Sequence, residues 1–235
     1  MADTPEINNT TLSEAEKLAG LAFTEDERNL MRKGVIERVD DYAKLRQIPL
    51  DNSVVPALQF VPQSFDTAQD KSPIARFPIS LDHIPVPQRP STLEEVAFWP
   101  VTQLAQLLRT RQVTSVELTK MYLARLKRYD RQLQCVITLT EDRALAQAKK
   151  MDEEMDNGRY RGPLHGIPWG AKDLIAVKGY PTTWGAAPFA DQIIDENAAV
   201  VQRLDEAGAV LVAKLTMGAL AWGDVWFGGQ TKNPW

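Results

Sequence analysis

Polar and apolar positions follow a helical spacing over the first 45 residues. A capping-box spacing that begins at Thr11 predicts a short helix over residues 11–20. A second helix is predicted from Thr24, which has Glu27 three residues on, because apolar residues then recur every three or four positions. Pro49 is expected to end that helix, and the segment that follows has little periodicity.

From residue 91 the pattern changes to helices that alternate with short apolar strands. The predicted helices begin near Ser91, Thr114, Glu141 and Asp195. Gly158 and Gly208 are expected to cap the last two of them. Uncharged runs rich in β-branched residues predict strands at residues 135–140 and 210–213, the second covered on both faces. Strands and helices joined by short connections indicate an α/β domain.

The distribution of proline and glycine predicts two regions. Nine of the 15 prolines lie in residues 1–90, whereas eleven of the 13 glycines lie at Gly158 or later. We therefore predict a helical and proline-rich N-terminal extension over residues 1–90 and a second domain over residues 91–235. Three aromatic side chains of the extension are expected to anchor it on a core: Phe60, Phe65 and Phe77.

Composition excludes several classes of function. The net charge of −4 gives no reason to expect a nucleic-acid partner. No apolar stretch approaches ~20 residues and no signal-peptide pattern begins the chain, so we expect no membrane partner and a cytoplasmic location. With one cysteine, Cys135, and two histidines, His83 and His165, neither a disulfide nor a His/Cys metal cluster is expected, and no cofactor is predicted. His165 is interpreted as a hydrogen-bonded structural histidine.

The candidate chemistry lies in residues 161–174, where a glycine- and proline-rich turn leads into an uncharged run that ends at Lys172. The run is expected to carry Lys172 into a core. A lysine acts as a base at neutral pH only if burial lowers its pKa by about three units, roughly 4 kcal/mol. The simpler interpretation is a lysine that reaches solvent or pairs with Asp173. Asp173 either orients Lys172 or caps the next turn, and Lys214 is expected to be an ion-paired structural lysine.

Over about residues 91–235 the chain resembles the amidase signature family. The resemblance is carried by three groups of short runs in family order: GPLHGIP, KD, KG and TT over residues 162–183, AVV, L, AGA and AK over residues 199–214, and TKNPW over residues 231–235. It implies an α/β fold, namely the start of an α/β/α layered architecture with a mixed central sheet, incomplete at the C-terminus.

The resemblance also implies an activity, the hydrolysis of linear amide C–N bonds in a small-molecule substrate by a Ser–cis-Ser–Lys triad. Lys172 matches the triad lysine, the general base. The family's two triad serines follow the position of Trp235, and the last serine here is Ser115, at a predicted helix start. The chain is therefore expected to be an N-terminal fragment that is inactive alone. Trp169, Trp184 and Trp222 are expected either to line an acyl pocket or to pack in a core.

Three other functions stay open on the sequence alone. One is a non-catalytic binding or structural remnant of the fold. A second is an amidotransferase that acts on aminoacyl-tRNA, which is weakened by Gly218 and Ala219, since many relatives of that type carry acidic residues there. A third is Schiff-base chemistry at Lys172, which nothing else in the sequence favours.

Overall fold

A computed structural model describes residues 6–51, 54–59 and 80–235 of the chain. It divides the chain into two compact units, Met1–Pro73 and Ile74–Trp235. The predicted boundary between residues 90 and 91 stays a prediction, and the three phenylalanines expected to anchor the extension lie outside the described residues. Within the described ranges, no helix is both long and apolar enough to cross a membrane.

The first unit contains two helices, α1 (Asn9–Ala19) and α2 (Glu25–Leu45). Asn8 caps α1, because its side chain accepts a hydrogen bond from the Thr11 amide, so the prediction of Thr11 as the cap is wrong. The predicted capping box of Thr24 and Glu27 is confirmed at the start of α2.

An ion pair joins the two helices of the first unit. Arg28 donates to both carboxylate oxygens of the buried Glu16, at 2.9 Å from Nε to Oε1 and 2.8 Å from Nη2 to Oε2. The hydrogen bonds from Arg28 hold the pKa of Glu16 below its usual range.

The second unit begins with helical segments that pack around one apolar cluster. They are a 3-10 helix (Leu93–Phe98), α3 (Val101–Arg109) and α4 (Ser115–Leu133). The capping box predicted at Thr114 is confirmed. The box predicted at Ser91 lies one residue later, between Thr92 and Glu95. Residues 80–90 lie on these helices, since the buried Gln106 side chain donates to the backbone carbonyl of Leu81 at 2.7 Å.

The remaining elements form a small mixed sheet with helices on both faces. They are β1 (Val136–Leu139), α5 (Glu141–Asp156), β2 (Pro168–Lys172), α6 (Ala199–Ala207) and β3 (Val210–Leu215), followed by a two-stranded ribbon of β4 (Val225–Trp226) and β5 (Gly229–Gln230). The strand order is β1-β3-β2, with β3 antiparallel to β1 and parallel to β2. The predicted α/β fold with a mixed central sheet is confirmed.

The two faces of β3 contact different helices. Val210 and Val212 pack with residues of α4 and α5, whereas Leu211 packs with Val201 of α6. Successive side chains of a strand point to opposite faces, so α4 and α5 cover one face and α6 the other. The predicted α/β/α layering is therefore present around this part of the sheet.

A register shift between β2 and β3 changes this alternation. Trp169 pairs with Leu211, but the next residue, Gly170, pairs with Ala213, so Val212 is an extra residue in β3. After the shift Ala171 pairs with Lys214, which places Lys214 on the α6 face of the sheet, with Ala171. If all six residues of β3 stood in a regular ladder, with Val212 paired in turn, Lys214 would lie on the opposite face.

Candidate active site

The turn that leads into β2 is held by backbone and hydroxyl contacts. Gly166 has a φ of +77°, and a Cβ there would lie 2.9 Å from the Ser115 Cβ. The Gly166 amide donates to the Gly208 carbonyl at 2.8 Å, and its carbonyl accepts from Ser115 Oγ at 3.0 Å. Only glycine suits this conformation and close approach. These contacts fix where β2 begins.

His165 is a structural residue of the same turn. The residue is 2% exposed, with Nε2 2.9 Å from the Met151 carbonyl and Nδ1 accepting from the Arg161 amide at 3.3 Å. Because Nδ1 accepts from an amide, Nε2 is assigned as the donor to the Met151 carbonyl. The interpretation of His165 as a hydrogen-bonded structural histidine is confirmed.

Arg161 connects the turn to helices α5 and α6. Its guanidinium forms a two-point contact with Glu154, in which Nε lies 2.6 Å from Oε2 and Nη2 contacts Oε1. Nη1 donates to the carbonyls of Asp205 and Glu206, at 2.9 and 3.1 Å, in the last turn of α6. Hydrogen bonding to Arg161 lowers the pKa of Glu154 from 4.5 to about 2.

This contact predicts an acid-sensitive stability. A carboxyl group whose pKa is lower in the folded state stabilises the fold above its unfolded pKa and loses that contribution as the pH falls through the folded value. The window for Glu154 therefore runs from about pH 4.5 down to about pH 2. Urea unfolding at about pH 5 and about pH 3 should show a smaller loss of stability for Glu154→Gln than for the unaltered chain. Equal losses in the two proteins would contradict the assignment.

The parallel strands β2 and β3 end together at Lys172 and Leu215, which are partners in the register. Ligands of α/β proteins bind at the carboxyl ends of parallel strands. Lys172 is exposed at this edge, so the expectation that it is carried into a core is wrong for this structure. The physical reason is strand alternation: Ala171 and Asp173 point to the covered α6 face, and Lys172 points to the other.

Asp173 and Lys214 form a buried ion pair behind the same edge. Both side chains are 0% exposed, and Lys214 Nζ lies 2.7 Å from Asp173 Oδ1. The other carboxylate oxygen accepts from Thr183, from the amide at 2.8 Å and from the hydroxyl. Asp173 therefore neither pairs with Lys172 nor only caps a turn; it joins the end of β2 to β3 and to the loop that contains Thr183.

The Lys214 ammonium is held by three oxygens. Besides its ion pair with Asp173, it donates to the Pro181 carbonyl at 2.8 Å and to Thr182 Oγ1 at 3.1 Å. Burial lowers the pKa of Lys214, and the hydrogen bond and charge of Asp173 oppose that shift. An ammonium has no lone pair, so a Lys214 ammonium held by these oxygens is not placed to accept a proton from a substrate. The prediction that Lys214 is an ion-paired structural lysine is confirmed.

Two loops meet beside this pair. The Trp184 amide donates to the Asp173 carbonyl at 3.4 Å, and the Leu220 amide donates to the Trp184 carbonyl at 2.8 Å. Trp184, Leu220 and Ala221 have φ values of 51°, 54° and 66°, the left-handed region that non-glycine residues rarely adopt. Such conformations persist where surrounding contacts determine them. The backbone around Lys172 is thus fixed by the loops, and not by the strands alone.

The three tryptophans proposed for an acyl pocket lie in different surroundings. Trp169 packs against the apolar cluster under α6. Trp184 packs on the Phe189 ring, with centroids 4.8 Å apart, and Trp222 is 87% exposed. Core packing therefore accounts for Trp169, whereas Trp222 is open to solvent in this structure.

The sequence did not identify the partner of Asp173. Two features of the sequence could have pointed to this partner. One is the pair of adjacent threonines, Thr182 and Thr183, in a turn, and the other is the single lysine in the otherwise uncharged strand β3. Hydroxyls in a turn satisfy buried charges. The contact between Asp173 and Lys214 depends on the extra residue in β3, which the periodicity of the sequence does not show.

Comparisons with known proteins find a matching family and several relatives. The family model named Amidase matches residues 117–235. A glutamyl-tRNA(Gln) amidotransferase component from Methylococcus capsulatus is 41% identical over 138 residues, which is 57% of this chain and 28% of that protein. AmiD from Mycobacterium bovis, named as an amidase, is 42% identical over 130 residues, 54% of this chain and 27% of that protein.

A solved structure of an amidase also matches this chain. The native peptide amidase from Stenotrophomonas maltophilia superposes with a TM-score of 0.55 at 36% identity, covering 60% of this chain and 31% of that one. The chain thus spans less than a third of the length of each of these relatives.

Proposed function

Since this chain belongs to the amidase signature family, we propose that it carries the general base of an amide hydrolase and that Lys172 is that base. The observation that supports the proposal is the position of Lys172. Its amine lies at the carboxyl edge of the parallel strands and forms no ion pair or side-chain hydrogen bond with any other described residue.

The contrast with Lys214 supports the choice of lysine. Lys214 is held by one carboxylate and two neutral oxygens, whereas the amine of Lys172 is exposed and unpaired within the described ranges. A general base needs a free lone pair and a path to its substrate proton. Of these two lysines at the end of the sheet, Lys172 is the one whose amine is open to a proton donor and is not held by an acceptor of the described chain.

The proposed chemistry is acyl transfer through a serine. Neutral Lys172 would accept a proton from a bridging serine, and that serine would accept one from the nucleophile as it attacks the amide carbonyl. Ser115 is unsuited to either role, because it is 1% exposed and its Oγ donates to the Gly166 carbonyl. The nucleophile and the bridging serine would therefore be residues other than Ser115.

The proposed substrate is a small molecule with a linear amide bond. The relatives named above include a peptide amidase, and we extend to this chain only the bond type that their names share. A cytoplasmic location, predicted from the sequence, is compatible with a substrate of this kind.

The test is to replace Lys172 by alanine in the longest natural polypeptide that carries this sequence. We expect kcat/KM for amide hydrolysis to fall by about 10²–10⁴-fold, the usual contribution of a general base. Labelling of the nucleophilic serine by a fluorophosphonate should slow in parallel. The matched control is Lys178→Ala, since Lys178 is also exposed but pairs with Asp195 at 3.2 Å.

Full hydrolytic activity in Lys172→Ala, with folding retained, would overturn the proposal. A complete lack of hydrolysis and labelling in the unaltered protein would favour the non-catalytic alternative instead.

A second candidate function is supported by the 41% identity to the amidotransferase component. Gly218 and Ala219 stand against it, because the acidic residues expected there in that type of protein are absent. Ammonia release from glutamine that requires a partner protein would favour this function. Hydrolysis of amides by the purified protein alone would favour the first.

A further inference from the structure

We propose that the buried ion pair of Asp173 and Lys214 positions the proposed base, Lys172. The inference rests on the proposed function, and it assigns a purpose to two charged groups that the acyl-transfer chemistry itself does not use.

The backbone on both sides of the Lys172–Asp173 peptide is restrained. The Lys172 carbonyl accepts from the Ile175 amide at 2.9 Å, and the Asp173 amide donates to the Leu215 carbonyl at 2.8 Å. The Asp173 side chain is held on the opposite face by Lys214 and Thr183. These contacts fix the direction of the Cα–Cβ bond of Lys172, although none of them involves the Lys172 amine.

The pair also removes a competitor for the Lys172 amine. Asp173 is adjacent in sequence, and a carboxylate near an amine favours the protonated ammonium, which is a poor base. In the structure both oxygens of Asp173 are occupied by Lys214 and Thr183 on the α6 face. The charged groups that contact Asp173 and Lys214 within the described ranges are each other, and the remaining partners are neutral.

The energetics of buried pairs suggest that stability alone does not explain these charges. A buried ion pair is often no more stable than a well-packed apolar pair of the same size. Removing both charges together should therefore leave a folded protein, whereas removing one leaves an uncompensated charge. The double replacement Asp173→Asn with Lys214→Met separates folding from positioning.

We expect that double variant, made in the longest natural polypeptide that carries this chain, to keep a urea unfolding midpoint close to that of the unaltered protein. Its kcat should fall by about 10–100-fold, because a small misplacement of a reacting group costs up to about 100-fold, while KM should stay within about twofold. Retention of full kcat in the folded double variant would overturn the inference.

Thr183 provides a milder test that does not touch either charge. Thr183→Val removes the hydroxyl that donates to Asp173 and accepts from the Gly185 amide at 3.2 Å, and Thr183→Ser keeps it. We expect valine to lower kcat several-fold without a change in KM, and serine to restore it. Equal kcat values in the two variants would contradict positioning through Asp173, even if the double variant failed to fold.

The two proposals fail in different ways. If Lys172→Ala keeps its activity, the proposed base is wrong. If Lys172→Ala is inactive while the folded double variant and Thr183→Val are both fully active, the base stands and only the positioning role is lost.

Discussion

Replacing Lys214 alone by methionine is expected to lower the free energy of unfolding by about 3–5 kcal/mol, because it leaves the carboxylate of Asp173 buried without its counter-charge. Both side chains are 0% exposed and 2.7 Å apart, so water cannot take the place of the ammonium without opening the structure. Methionine has nearly the same length as lysine, so little of the loss will come from a cavity. Urea unfolding monitored by circular dichroism measures this loss in the free energy of unfolding.

The matched control for this change is Lys178→Met. Lys178 is also paired with an aspartate, Asp195, but its side chain is 60% exposed and that of Asp195 is 83% exposed. Exposed pairs contribute little, so we expect no clear change in the unfolding midpoint. Equal losses for Lys214→Met and Lys178→Met would show that the buried pair has no special role in stability.

Replacing Gly185 by alanine is expected to destabilise the protein by about 2–5 kcal/mol, from left-handed backbone strain together with a steric clash. Gly185 has a φ of +69°, and a Cβ there would lie 2.2 Å from the Met217 carbonyl oxygen. The obstacle is backbone, which cannot rotate away as a side chain can. The clash would also strain the hydrogen bond from the Phe227 amide to the Gly185 carbonyl, 3.1 Å long.

Gly179 offers a control that separates the two causes. It has a φ of +85°, but an added Cβ would meet nothing within 4 Å. Gly179→Ala should therefore cost only the backbone strain, about 1–2 kcal/mol. A loss for Gly185→Ala no larger than that for Gly179→Ala, measured by the same urea unfolding, would show that the two loops separate easily and that the contact is unimportant.

Local signals allowed much of the fold to be predicted. The capping boxes at Thr24 and Thr114 lie where the sequence places them, because a serine or threonine followed three residues later by glutamate satisfies two backbone amides by itself. The same rule failed at Thr11. There, Asn8 lies three residues earlier and provides a stronger cap, because its side chain accepts a hydrogen bond from the Thr11 amide.

The candidate site was less predictable, because it depends on which face of the sheet each side chain occupies. The uncharged run before Lys172 predicts a buried strand, and it is buried at Ala171. One step along a strand reverses the direction of the side chain, so burial of the strand does not extend to Lys172. The meeting of Asp173 with Lys214 requires the register between two strands that lie far apart in the sequence, with α6 between them. A pattern within either strand does not contain that information.

The extra residue in β3 decides which face of the sheet Lys214 occupies. If β3 were instead a regular strand with Val212 in the ladder, Lys214 would turn away from Asp173, toward the side of the sheet on which Lys172 emerges. The Lys214 ammonium would then lie on the same side of the sheet as Lys172, and the Asp173 carboxylate would keep only its hydrogen bonds from the Thr183 amide and hydroxyl. A sequence alignment or a grafted design that treats β3 as a regular six-residue strand would therefore keep Lys214 in the sequence but place its ammonium on the wrong face of the sheet, away from Asp173.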